Sequence, residues 1–236
     1  MNVYQHLLPI LEDNAHLISM VPAEELLRFG YEIGLKPGLN VLDLCCGYGT
    51  LLKIWSEAFG ISGVGVDREK RFLDIGAKRL EQQGIGNVRL VCDDVTKYRD
   101  EAKYDVVVCS ETIDSIENTF LLGKKFLKPG GILCYQKLYA RVSDPPQELK
   151  DFDGEVLPLS TLNRRFNALG WYMTSMASDM PGMWEHYVVN WCGKRNWEEG
   201  ASPEWIKTWE DMYFDYRRQY EGQAMFGLRE IKEIVK

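Results

Sequence analysis

The sequence predicts an α/β fold built on a doubly wound, mostly parallel sheet, and three observations carry that prediction. From Asn40 to about Lys137, short β-branched runs alternate with amphipathic stretches, as successive βα units do when their sheet is buried on both faces. The first run leads directly from a strand into a glycine turn and a helix start, Val41-Leu42-Asp43-Leu44-Cys45-Cys46-Gly47-Tyr48-Gly49-Thr50. Lys128-Pro129-Gly130-Gly131 then closes a helix before the next strand.

On this pattern strands fall at residues 41–44, 63–66, 88–92, 106–109 and 132–136, with helices at 50–59, 69–82 and 116–127 between them. Two more helices are expected ahead of the sheet, at about 4–17 and 22–33, the second ending at Gly34 with Pro37 and Gly38 following. They are placed to cover the mouth of a site. After Gln136 the alternation stops, and the paired prolines in Val142-Ser143-Asp144-Pro145-Pro146-Gln147 exclude helix interior and central strand. With 236 residues, 45% of them hydrophobic, the expectation is one domain, with lid helices over about 1–34 and a cap insertion over about 138–222.

Six of the seven tryptophans lie between Trp171 and Trp209, so the last third differs in character from the sheet half. Ser202-Pro203-Glu204 starts a helix along which Trp205, Trp209, Met212, Tyr216 and Tyr220 recur at helical spacing. Such a stripe is expected to be core.

A net charge of −7 disfavours a broad phosphate-binding surface, and no basic run suggests a nucleic-acid groove. A small-molecule partner follows, bound by a monomer or homodimer. The N-terminus lacks the features of a secretory signal and no segment approaches a membrane span, which predicts a cytoplasmic protein. The six cysteines show no CxxC spacing, and Cys92, Cys109 and Cys134 sit in apolar runs, so neither a disulfide framework nor a metal site is expected.

Glycines at the first turn let the backbone approach a ligand, and the helix start offers free N–H groups to an anionic group. The third glycine of a dinucleotide fingerprint is missing, since Gly47-Tyr48-Gly49 is followed by Thr50-Leu51-Leu52. Asp43 also suits a ligand with an ammonium and a sulfonium centre better than a pyrophosphate. Asp67 ends the second strand, where a carboxylate can accept both hydroxyls of a ribose. At the end of the third strand Asp94, in preference to Asp93, is placed to accept from an adenine amino group.

Taken together, residues 43–49, Asp67, Asp94, Tyr104-Asp105-Val106-Val107-Val108 and Leu127-Lys128-Pro129-Gly130-Gly131 resemble the successive motifs of class I S-adenosylmethionine methyltransferases. The resemblance covers about residues 22–137. The C-terminal part is more loosely similar to small-molecule methyltransferases with a Trp- and Tyr-rich cap. One departure is that Cys45 replaces the family's first loop glycine.

The resemblance implies a Rossmann-like sheet of seven strands, with two further strands near 171–176 and 224–231, the last antiparallel. It implies S-adenosylmethionine as cofactor and S-adenosylhomocysteine as product. Asp43 and the Cys45, Gly47 and Gly49 backbone would hold the methionine part, Asp67 with Arg68 beside it the ribose, and Asp94 with Val95 the adenine. Ser110 and Glu111 would face the sulfonium. Candidate groups for proton removal or acceptor orientation are Glu111, His186 and Tyr187, with Asp114, Tyr139, His6 and His16 behind them. The adjacent Cys45 and Cys46 belong to an acidic loop that does not favour a reactive thiolate. The competing function is a non-catalytic sensor or scaffold for the same cofactor or its product.

Overall fold

The computed structural model describes residues 8–110, 113–193, 197–198, 200 and 202–231. All seven expected strands are present: β1 Asn40–Leu44, β2 Ser62–Asp67, β3 Val88–Cys92, β4 Tyr104–Cys109, β5 Leu127–Ala140, β6 Trp171–Ser178 and β7 Glu221–Glu230. They form one sheet in the order β3-β2-β1-β4-β5-β7-β6. β7 runs antiparallel to both its neighbours, and the pairs among β1 to β5 are parallel. Helices α1 Leu8–Ala15 and α2 Ala23–Glu32 precede the sheet, and α3 Thr50–Phe59, α4 Lys70–Gln82 and α5 Ile116–Phe126 connect its parallel strands.

The central strands have no wet face. On one side Leu42, Leu44, Val107, Cys109, Leu133 and Tyr135 pack with Phe120 and Phe126 of α5. On the other, Val41, Val106, Val108, Ile132 and Cys134 pack with Phe29 of α2 and Trp55 of α3. Alternate residues of each central strand therefore enter different cores, which is why the runs read as continuously apolar. Chain order reverses direction across the sheet between β1 and β4, and the crevice above that switch point is where open α/β sheets hold ligands.

β5 is much longer than the sequence suggests. Tyr104 pairs with Leu127, but Val106 pairs with Ile132, so the Pro129-Gly130-Gly131 turn is accommodated as a bulge within the strand. At its other end β5 continues past Gln136, because Lys137 to Ala140 pair with Ala224 to Glu221 of β7.

Beyond β5 lie α6 Gln147–Asp153, α7 Leu159–Ala168, and α8 Pro181–Glu185, which continues as a π-helical segment His186–Gly193. Next comes α9 Pro203–Met212, which widens into a π turn at Tyr213–Arg217 and ends at Arg218–Tyr220. Ser202 caps α9 by accepting from the Trp205 N–H, as expected of Ser before Pro. The aromatic stripe is not core, however. Trp205 is 49% exposed and stacks on Trp209, and no residue of α9 is fully buried. The buried aromatic is Tyr213, set against Trp184 at the point where the helix widens to π geometry. No helix among the described residues is long and apolar enough to cross a membrane.

Close approach fixes the loop after β1. A Cβ added at Gly76 of α4 would stand 2.1 Å from the Tyr48 carbonyl oxygen, a backbone atom that cannot swing aside. Alanine ordinarily gains about 1 kcal/mol over glycine inside a helix. Here Gly76→Ala is expected to destabilise by roughly 1–3 kcal/mol, because overpacking outweighs propensity. A urea midpoint equal to or above that of the wild type would show that the loop is not held by this contact.

Candidate functional site

The turn between β1 and α3 is built by backbone bonds. The Cys45 and Cys46 N–H groups donate to the Val66 carbonyl at 2.8 and 3.1 Å, and the Gly49 N–H donates to Cys46 O at 2.9 Å. Cys45 takes a φ of +64°, the left-handed conformation a glycine there would adopt freely. The family departure at this position therefore leaves the turn intact, at a cost of roughly 1–2 kcal/mol in backbone strain.

Asp67 braces this loop from β2. Its Oδ2 accepts from the Gly47 N–H and its Oδ1 from the Glu69 N–H, each at 2.8 Å. Asp43 is 1% exposed, and its Oδ1 accepts from Ser110 Oγ at 2.8 Å. Burial pushes its carboxyl up to about 7, with nearby Asp67 adding to the rise and the Ser110 bond opposing it. A buried carboxyl with one hydroxyl partner is poised to accept a cation. Asp94 is held the other way: bonds from the Thr96 hydroxyl and N–H, at 2.7 and 2.9 Å, keep it below the usual carboxylate range. Burial raises the Cys46 thiol well above its ordinary value, the reverse of what a reactive thiolate requires.

These groups line a cavity of about 1210 Å³ over the β1–β4 switch point. Asp43, Cys45, Gly47, Asp67, Arg68, Asp94, Val95, Ser110 and Tyr187 all border it, so most of the predicted set converges. Gly49 does not. It stands behind the turn at φ +71°, where a Cβ would meet Leu90 at 2.7 Å, and so serves the shape of the loop. His186 is half-buried and does not reach the cavity. Tyr139 turns its hydroxyl toward Asp179 at 3.4 Å. Asp114 and His16 border the cavity, but Asp114 Oδ2 already accepts from Asn118 and His16 Nδ1 donates to Glu12 O. Glu111 and His6 lie outside the described residues.

Several cavity residues were not predicted. Residues 17–20, between α1 and α2, form part of the wall, and the Ser19 hydroxyl lies 3.2 Å from Gln136 Oε1 and 3.1 Å from Gln223 Oε1. Gln136 had a legible signal, being the one strongly polar residue ending the apolar run Ile132-Leu133-Cys134-Tyr135. Gln223, Asp153 and Arg217 had none, because the antiparallel strand and the cap bring them in from distant parts of the chain.

A doubly wound sheet ending in an antiparallel seventh strand, with carboxylates at the ends of β1, β2 and β3, is the architecture of class I S-adenosylmethionine-dependent methyltransferases, and the chain has that fold. Residues 41–131 match the family model described as "Methyltransferase domain". A solved SAM-dependent methyltransferase from Geobacter sulfurreducens, in complex with S-adenosyl-L-homocysteine, is similar over 95% of this chain and 98% of its own, with 26% identity and a TM-score of 0.80. The uncharacterized protein YjhP of Escherichia coli (strain K12) is 27% identical over 245 residues, covering 93% of this chain and 96% of its own length. Pavine N-methyltransferase of Thalictrum flavum subsp. glaucum is 24% identical over 208 residues, which are 83% of this chain and 54% of that relative.

Proposed function

We propose that the chain transfers a methyl group from S-adenosylmethionine to a small-molecule acceptor by in-line displacement. The supporting observation is the continuity of a single cavity, lined at one end by Asp43, Asp67 and Asp94 and at the other by Gln136, Gln223 and Trp209. Cofactor and acceptor then share one space, as a direct transfer needs.

On this reading Asp43, aligned by Ser110, and the loop backbone from Cys45 to Gly49 hold the ammonium and carboxylate of the methionine part. Asp67 retains unused lone pairs beyond its two backbone bonds, and these accept the ribose hydroxyls, with Arg68 alongside. Asp94 and Val95 border the adenine. When bound, the cofactor supplies an electrophilic methyl group on a positively charged sulfur, so the protein need not supply a nucleophile. The chain's own work is alignment and exclusion of water: residues 16–20 wall the cavity on one side, and Tyr187 and Trp209 of the cap wall it on another. Of the groups considered for removing a proton, Tyr187 is the one from the cap that borders the cavity.

Calorimetric binding of S-adenosylmethionine and S-adenosylhomocysteine tests the reading, with NAD as control. Asp67→Ala is expected to weaken both by roughly 1.5–3 kcal/mol for each charge-assisted hydrogen bond lost, about ten- to a hundredfold. Unchanged affinity in the variant removes the ribose assignment. Failure of folded wild-type protein to bind either compound removes the proposed function.

A further inference from the structure

We propose that the methyl acceptor carries a carboxylate or phosphate group, received by the Arg217 guanidinium with the side-chain amides of Gln136 and Gln223 beside it. The proposal rests on the methyltransferase reading of the same cavity and adds the chemical class of the acceptor.

Arg217 borders the cavity, yet its side chain is only 9% exposed. It is fastened from behind. Nε donates to Glu221 Oε2 at 2.7 Å and lies 3.2 Å from Asp153 Oδ2, while the guanidinium carbon sits 5.3 Å from the centroid of the Trp184 ring. Among the described residues neither Nη atom has a hydrogen-bond partner, and neither is sealed from solvent-filled space. The side chain is thus immobilised at its Nε edge and ring face, with its two-pronged end left open. A planar oxygen anion fits that end with two parallel hydrogen bonds.

Two carboxylates around one guanidinium could instead suggest a site for a cation, but the geometry points the other way. Glu221 Oε1 and Asp153 Oδ2 are sealed from the cavity, and Asp153 Oδ2 is spent on the ion pair with Arg217 Nε. The Arg217 Nη atoms face the open space, with Asp153 on the same wall. Burial raises both acids, Glu221 to about 7, and the Arg217 guanidinium between them offsets their charge. Lys137 borders the same cavity and adds positive potential, and Glu155 there is engaged by Arg165 at 2.7 Å.

The glutamines supply matching donors. Gln223 Oε1 accepts from the Met20 N–H at 2.8 Å, which fixes the amide so that Nε2 points elsewhere. That Nε2 has no partner among the described residues, and nor does Nε2 of Gln136, a side chain in a residue only 6% exposed. Glu221 and Gln223 are two apart on β7 and so share a face, which sets the arginine and the amides along one wall.

Phenylacetate, inorganic phosphate and the neutral isostere phenylacetamide are titrated calorimetrically into the protein, with and without saturating S-adenosylhomocysteine. One of the two anions is expected to bind at least about tenfold tighter than phenylacetamide, as a two-pronged charged contact allows. Which anion wins separates a carboxylate acceptor from a phosphorylated one. Arg217→Gln should erase the preference while leaving S-adenosylhomocysteine affinity within about twofold. Because that variant strands Glu221, the double variant Arg217→Gln/Glu221→Gln repeats the measurement with both charges removed. A wild type that prefers neither anion over the amide, or a preference that survives in the double variant, overturns the proposal. Lack of S-adenosylhomocysteine binding overturns the cofactor reading instead, and the anion preference is then decided on the unloaded protein.

Discussion

Replacing Asp13 with alanine is expected to destabilise the protein by about 3–5 kcal/mol, the usual cost of stranding buried charge. Asp13 stands on α1 at 10% side-chain exposure and faces two buried cations: Lys53 Nζ of α3 at 2.9 Å and Arg79 Nη2 of α4 at 3.1 Å. Arg79 Nη1 also donates to Thr50 Oγ1, which donates in turn to the His16 carbonyl at 2.9 Å. One carboxylate therefore pins α1, and the wall segment that follows it, to the two helices behind the site. Lys53 keeps Glu57 as a partner, and α1 can undock to hydrate both cations, so the lower end of the range is expected. Undocking would also open the cavity at residues 16–20, and cofactor affinity should fall with stability. Asp13→Asn, which keeps hydrogen-bonding capacity, should lose less. A chemical-denaturation loss under about 1 kcal/mol for Asp13→Ala would show that this ion cluster is not what holds α1.

Cofactor affinity should depend on pH through Asp43. Its carboxyl is raised from 3.8 to about 7, so the folded, ligand-free protein holds a proton there that the unfolded chain releases. That proton stabilises the fold at low pH, and the contribution is lost as pH rises from about 4 through about 7. A cationic ligand group has the opposite preference, since it favours the ionised carboxylate. S-adenosylmethionine binding is therefore expected to plateau above pH 7 and to weaken below it, by up to about tenfold per pH unit. Calorimetry between pH 5.5 and 8.5 reads this directly. Asp43→Asn should bind more weakly at pH 8 and show a flatter profile. A wild-type profile as flat as that of the asparagine variant would detach Asp43 from the cofactor. Glu221, also raised to about 7, lies at the other end of the site, and the Asp43→Asn comparison separates the two.

What the sequence made legible divides along the same cavity. The proposed cofactor end was readable because its residues lie in or just after β1, β2, β3 and β4: each strand is a short, mostly apolar run, and the polar residue at its C-terminal end stands at the sheet edge by construction. The acceptor end was not, because its residues owe their positions to pairing across the chain. Gln223 reaches the cavity only through the antiparallel register of β7 against β5, and Arg217 through a π turn that no local pattern signals. The tryptophan stripe shows the same limit. Helical spacing located α9 and its Ser202 cap correctly, yet the periodicity presumes α geometry, and the side chain that enters the interior is Tyr213, where that geometry gives way.

The slot between β5 and β6 governs when this molecule can assemble. Among the described residues β6 pairs with no strand but β7, which follows it in the chain. During synthesis the first five strands can gather as each emerges, but β6 has no edge to join until β7 arrives to fill the gap. The Gln223 amide that fastens Met20 arrives with it, so the amino-terminal wall of the cavity receives this anchor only then. A nascent chain can thus bring together the cavity residues of β1 to β4 before β7 carries Gln223 to the same cavity.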